Sequence, residues 1–154
     1  MKTIVVGYDA SDAAERALDR AAQLAEALSA RLVVVSVSTV PMPGPTHVVE
    51  PTGPMIVAAG GTTPLTPESE PDLEELAQRR LEQARSRLAT RSLDVDYVAE
   101  VGTPAERLLA VADERDVGLI VVGSRDHGII ERLLAQPVEE AVARRAARDV
   151  LIVH

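Results

Sequence analysis

The residues from Gly118 to Glu140, GLIVVGSRDHGIIERLLAQPVEE, join an apolar run, a glycine-bearing loop and a helix start. This is how α/β proteins build a phosphate cradle. Glycine lets backbone N–H groups approach an anion, and the helix N-terminus adds partial positive charge. Gly123 ends the run, Ser124, Arg125 and Gly128 follow it, and Val138 opens the next helical pattern. Arg125, His127 and Arg132 add positive charge. Other positions oppose an anion. Pro137 has no N–H to donate. Asp126 brings a carboxylate; unit charges ~4 Å apart repel by about 1 kcal/mol in water and about 4 at an effective dielectric of 20. Glu139 and Glu140 occupy the first helical turn and answer its dipole in place of a phosphate.

Other chemistries lack their residues. Ser124, Asp126 and His127 stand outside any G-x-S-x-G elbow, which argues against a hydrolase. The Walker and dinucleotide glycine patterns are absent. His47, His127 and His154 are too scattered for a metal site, and the chain has no cysteine. Acidic residues outnumber basic ones by 24 − 16 = 8. That balance, with almost no aromatics, argues against a nucleic-acid partner. No apolar run approaches the ~20 residues of a membrane span, and the N-terminus shows no secretory pattern. A soluble cytoplasmic protein is expected.

Five apolar runs must position the loop: Thr3–Tyr8, Leu32–Val37, Val95–Glu100, Leu119–Gly123 and Val150–His154. All but the third are nearly continuous in Val, Ile and Leu, as strands buried on both faces require. VDYVAE alternates more and suits an edge. Helical patterns lie between the runs. One starts near Ser11, one after Pro71, one at Thr103 and one near Pro137. Thr103-Pro104-Ala105-Glu106 has the spacing of a capping box with Pro at the first helical position. Strands alternating with helices predict an α/β fold with a parallel sheet and helices on both faces. Ligands of such sheets bind beyond the strands' carboxyl ends, where Asp9–Ser11, Gly102–Thr103 and Gly123–Arg125 should meet. Asp9 has two readings there, helix cap or ligand contact. Ser38–Glu70 holds most of the prolines and Gly60-Gly61, so regular structure is not expected in it. The charged faces at 68–91 and 107–116 read as solvated helix surface.

Four segments then bear on kinship: IVVGYDASDAAERAL at Ile4–Leu18, VGTPAERLL at Val101–Leu109, GLIVVGSRDHG at Gly118–Gly128 and DVLIVH at Asp149–His154. In this order and at these separations, they resemble the universal stress protein family over the whole chain except Ser38–Glu70. The resemblance implies one domain over 1–154 with an irregular insertion at 38–70. It implies a doubly wound five-stranded parallel sheet of order 3-2-1-4-5. It also implies a homodimer through the last strand, at Val150, Leu151, Ile152 and Val153.

Many family members bind ATP at a Gly-x2-Gly-x9-Gly-Ser/Thr pattern, with an Asp after the first strand near the adenosine. Here Gly123 matches the first glycine, but the second falls on Asp126, the third on Gln136 and the Ser/Thr on Pro137. Asp9 matches the adenosine-side Asp, Val37 the base-lining position and Gly102 the loop after the third strand. Residual nucleotide contacts are expected from Asp9, Ala10, Val37, Gly102, Val122, Gly123, Ser124, Arg125, Gly128 and Val138. The expectation is a non-catalytic stress-response homodimer without tight ATP binding, metal or required cofactor. The alternative is an adenine-nucleotide sensor, for ATP, ADP or AMP, using a modified phosphate loop.

Overall fold

A computed structural model describes residues 2–39, 72–124 and 137–154. Most of the 38–70 insertion lies outside these residues, as do Arg125, Asp126, His127, Gly128, Arg132 and Gln136. The elements run β1 (Thr3–Gly7), α1 (Asp12–Leu28), β2 (Arg31–Ser38), α2 (Leu73–Leu88), β3 (Val95–Val101), α3 (Pro104–Glu114), β4 (Leu119–Gly123), α4 (Val138–Arg145) and β5 (Asp149–Val153). All strand pairings are parallel and the sheet order is β3-β2-β1-β4-β5. This is the expected architecture.

Strand alternation sorts the core into two layers. Ile4, Val6, Leu32, Val34 and Val121 pack under α1 and α2. Val5, Val33, Val35, Ile120 and Val122 pack under α3 and α4. Both layers are dry, which is why β1, β2 and β4 read as unbroken apolar runs. Helix α1 meets the sheet through Ala14, Ala17, Ala21 and Ala25 around the fully buried Leu18, with Leu24 packed at the margin. Alanines bring its backbone close to the strands. Strand β3 lies at one edge and is half-buried along its length, ending in the exposed Val101.

Two local expectations change. Strand β2 continues through Ser38, whose side chain is fully buried, so Ser38 belongs to the strand. Thr103 precedes α3 with Pro104 in the first turn, but its side chain makes no cap hydrogen bond. The capping box is therefore not formed.

Chain direction reverses around β1. From β1 the chain moves out through β2 and β3, then crosses back to β4 and β5 on the other side. Loops leaving β1 and β4 consequently diverge to opposite faces, and a crevice opens at their carboxyl ends.

Candidate nucleotide cleft

The crevice is a cleft of about 520 Å³ lined from β1, β2, β4 and helices α1 to α4. Its apolar wall is Val35, Val37, Leu108 and Val122, and its polar groups include Asp9, Ser11, Arg80 and Glu139. That size and mixture suit a small organic ligand with a flat apolar part and a few polar anchors.

Residues after β1 form a tight turn into α1. The Asp9 carboxylate oxygen Oδ1 accepts from the Ser11 N–H at 3.0 Å and from the Ser11 hydroxyl at 2.6 Å. Ser11 Oγ in turn accepts from the Ala14 N–H at 3.2 Å. The helix cap is therefore Ser11, and Asp9 holds the cap in place. Between them Ala10 takes φ 64°, a left-handed conformation that costs a non-glycine residue ~1–2 kcal/mol. The paired bonds of Asp9 keep it there. Beside this turn, the buried Tyr8 donates its backbone N–H to the Val35 carbonyl at 2.8 Å. Burial raises the pKa of its phenol, the Glu15 carboxylate adds to that, and Arg87 partly offsets it. Tyr8 is a neutral hydroxyl at physiological pH.

Gly123 touches α1. A Cβ built there would lie 2.5 Å from the Ala13 carbonyl carbon and 3.0 Å from the Ala14 nitrogen, and would overlap the Ala13 carbonyl oxygen. The end of β4 thus packs directly against the first turn of α1, and Gly123 both lines the cleft and admits that contact.

Helix α4 starts at the cleft wall with Pro137 as its cap residue and no side-chain cap. Its first intrahelical bond runs from the Ala141 N–H to the Pro137 carbonyl at 3.0 Å. The N–H groups of Val138, Glu139 and Glu140 precede that ladder. Pro137, Val138 and Glu139 line the cleft, so these donors come with a carboxylate.

Arg80 reaches the cleft from α2. Its Nη1 donates to the Val37 carbonyl at 3.3 Å. Ala77, Leu81, Ala84 and Leu88 bury the underside of α2. Arg87 grips Asp19 of α1 through Nε at 3.0 Å and Nη2 at 2.7 Å. That hydrogen bond lowers the Asp19 pKa. Both side chains remain more than a third exposed, so the clamp contributes under about 1 kcal/mol and acts mainly to fix where α2 lies.

Of the residues expected at a nucleotide, Asp9, Val37, Val122, Gly123 and Val138 come together in this cleft. Ala10, Gly102 and Ser124 do not line it. Gly102 shapes the turn after β3 at φ 139° and donates to the Ser38 carbonyl at 2.9 Å. Ser124 ties β4 to β5 through its N–H on the Val153 carbonyl at 2.8 Å. Arg125 and Gly128 lie outside the described residues. Sequence reasoning missed Arg80 by assigning its whole helix face to solvent. The signal was present: Arg80 is three residues after Ala77 and four before Ala84, on the flank of the inward stripe. Among the described residues no group of His, Cys, Asp and Glu could hold a metal ion, and no helix is long and apolar enough to cross a membrane.

A family model described as the universal stress protein family matches residues 1–154. The chain belongs to the universal stress protein family. It is 34% identical over 153 residues to a universal stress protein of Mycobacterium tuberculosis strain H37Rv, covering 99% of this chain and 96% of that one. It is 32% identical over 157 residues to a universal stress protein of Thermus aquaticus, covering 99% and 98%. Among solved structures, it resembles a universal stress protein crystallised in complex with cAMP. The TM-score is 0.71 at 30% identity, with 99% of this chain and 97% of that chain covered. The universal stress protein fold thus accounts for every described element of this chain.

Proposed function

We propose that this universal stress protein is a non-catalytic cytoplasmic homodimer that binds adenine nucleotides with a single phosphate, AMP or cyclic AMP, and holds ATP less tightly. It acts through protein contacts, without turnover. The observation that carries this reading is the mixed wall of the cleft. Val35, Val37 and Val122 offer an apolar bed for a base, and Asp9 and Ser11 offer polar anchors. The α4 start keeps three N–H donors but lacks a fourth at Pro137 and adds the Glu139 carboxylate. Each further phosphate of ATP would add charge against that carboxylate, at ~1–4 kcal/mol per close pair. The relative solved with cAMP supports the same ligand class. Titration calorimetry should rank AMP or cyclic AMP at least about tenfold tighter than ATP. The reverse ranking would sink this reading.

The homodimer is assigned to β5. Its neighbour on one side is β4, and no described strand lies on the other. An apolar edge of this kind favours pairing with a second copy. The Val153 carbonyl faces Ser124, so alternation along the strand turns the Ile152 N–H towards the open edge. Ile152→Pro should therefore dissociate the dimer, while Ile152→Ala, which keeps that N–H, should leave it paired. Light scattering on the two variants reads the difference, and a dimer equally intact in both refutes pairing through β5.

A further inference from the structure

We propose that Arg80 reads the base of the nucleotide: its guanidinium donates to a purine ring nitrogen beside the amino group, while the Val37 carbonyl accepts from that amino group. The proposal rests on the nucleotide reading above and names how the same cleft selects its base. Successive backbone groups of β2 turn to opposite neighbours. The Val35 carbonyl accepts from Tyr8 on the β1 side, and the Ser38 carbonyl accepts from Gly102 on the β3 side. The Val37 carbonyl therefore faces the β1 side. Strand β1 ends at Gly7 and the chain turns at Ser11 into α1, so this carbonyl looks past the strand end into the cleft that Val37 lines. Arg80 meets it there, donating from Nη1 at 3.3 Å.

That single bond leaves both partners with capacity. A guanidinium carries five N–H donors in a rigid fork, and a carbonyl oxygen has two lone pairs. The end of β2 thus presents an acceptor next to a cationic donor. Adenine has the complementary edge, an amino donor beside a ring-nitrogen acceptor. The charge of Arg80 is also unanswered. Among the described arginines that are half-buried, Arg31, Arg91, Arg107 and Arg148 each bind a carboxylate. Arg80 is half-buried with no carboxylate partner among the described residues, in a chain whose acids exceed its bases by eight. Its place agrees with the apolar bed, because Val35 and Val37 belong to the same strand end as the carbonyl that Arg80 holds. A base anchored there directs the phosphate away from Arg80.

Deaza analogues isolate the contact. 1-Deaza-AMP and 7-deaza-AMP each replace one ring nitrogen beside the amino group by C–H and keep the phosphate. Titration calorimetry of the unaltered protein should find one of the two about 10–100-fold weaker than AMP, the range for a charged hydrogen bond. Arg80→Met should lower AMP affinity by a similar factor and bring that analogue within about twofold of AMP, because two changes to one contact do not add. Arg80→Lys keeps a donor without the fork and should retain part of the difference. Circular dichroism melting of both variants checks that α2 stays docked. Two analogues as tight as AMP on the unaltered protein would overturn the proposal, a result that needs no variant. A difference that persists undiminished in Arg80→Met would also overturn it, because the ring nitrogen then bonds elsewhere. If the unaltered protein binds none of the three ligands, the nucleotide reading itself fails, and this assignment with it.

Discussion

Gly123→Ala is expected to lower the melting temperature by about 6–12 °C and to remove nucleotide binding. The added methyl would meet backbone, not a side chain that could rotate away: the Ala13 carbonyl carbon is 2.5 Å from its position. Ala13 sits in the first turn of α1, which the Ser11 cap fixes to the β1 loop. Relief requires α1 to move outward, away from the strands that Ala14, Ala17 and Leu18 pack against. Overpacking of this kind costs typically 1–3 kcal/mol. With about 3 kcal/mol at the tight end, a chain of this size loses about 2–4 °C per kcal/mol. The same movement carries Asp9 and Ser11 out of the cleft wall. Gly118→Ala is the control. Its Cβ would find only the Thr3 carbonyl oxygen, at 3.8 Å, so its effect should stay within ~1 kcal/mol in either direction. Calorimetric melting of the two variants compares them, and equal melting temperatures would mean that α1 yields freely at its first turn.

Gly123 also shows why the site was only partly legible in the sequence. A glycine after a β4-like run reads as phosphate-binding, because phosphate loops need glycine there. The same residue is required by helix packing, and one residue type cannot distinguish the two demands. The strands were legible because dry layers on both faces force continuous Val, Ile and Leu, as in β1, β2 and β4. The end of β2 was less so. Ser36 and Ser38 are fully buried in the strand, yet serine carries no apolar signal and resembles the start of a loop. Topology predicted that the ends of β1 and β4 meet, and Asp9 and Gly123 do share the cleft. Adjacency in sequence did not extend to adjacency in space: Ser124, next to Gly123, faces β5. Arg80 lay hidden for a different reason. Charge suggests solvent, and only its phase relative to Ala77 and Ala84 brings it to the cleft.

The roles of Gly123 and Ser11 also explain why this cleft can persist while its phosphate loop diverges. Asp9 and Ser11 hold the β1 turn, with the Ala14 N–H on Ser11, and Gly123 makes the α1 contact against Ala13 and Ala14. None of these contacts needs a bound anion. Changes at the start of α4 can therefore leave the β1 turn and its contact with α1 in place.

Pro137→Ser combined with Glu139→Gln should raise ATP affinity about 10–100-fold while changing AMP affinity far less. Pro137 is the cap residue of α4 at φ −55°, ψ 142°, a conformation open to serine. Serine there restores the missing N–H and brings a hydroxyl favoured at helix caps, worth ~1 kcal/mol to the helix. That gain offsets the dipole interaction lost with the Glu139 charge, ~0.3–1 kcal/mol. Glutamine keeps the length of the side chain lining the cleft and removes its repulsion of phosphate, ~1–4 kcal/mol for a close pair. A new N–H to a charged oxygen adds ~1.5–3 kcal/mol. Neighbouring changes are not additive, so a net gain of about 1.4–2.8 kcal/mol, or 10–100-fold, is the expected scale. AMP should respond less because it sets one phosphate against this carboxylate where ATP sets three. Titration calorimetry with ATP and AMP measures both. If AMP affinity rises as much as ATP affinity, the gain does not come from the phosphates that ATP adds, and the repulsion argument fails. If ATP affinity does not move, the barrier to a triphosphate does not lie at the start of this helix.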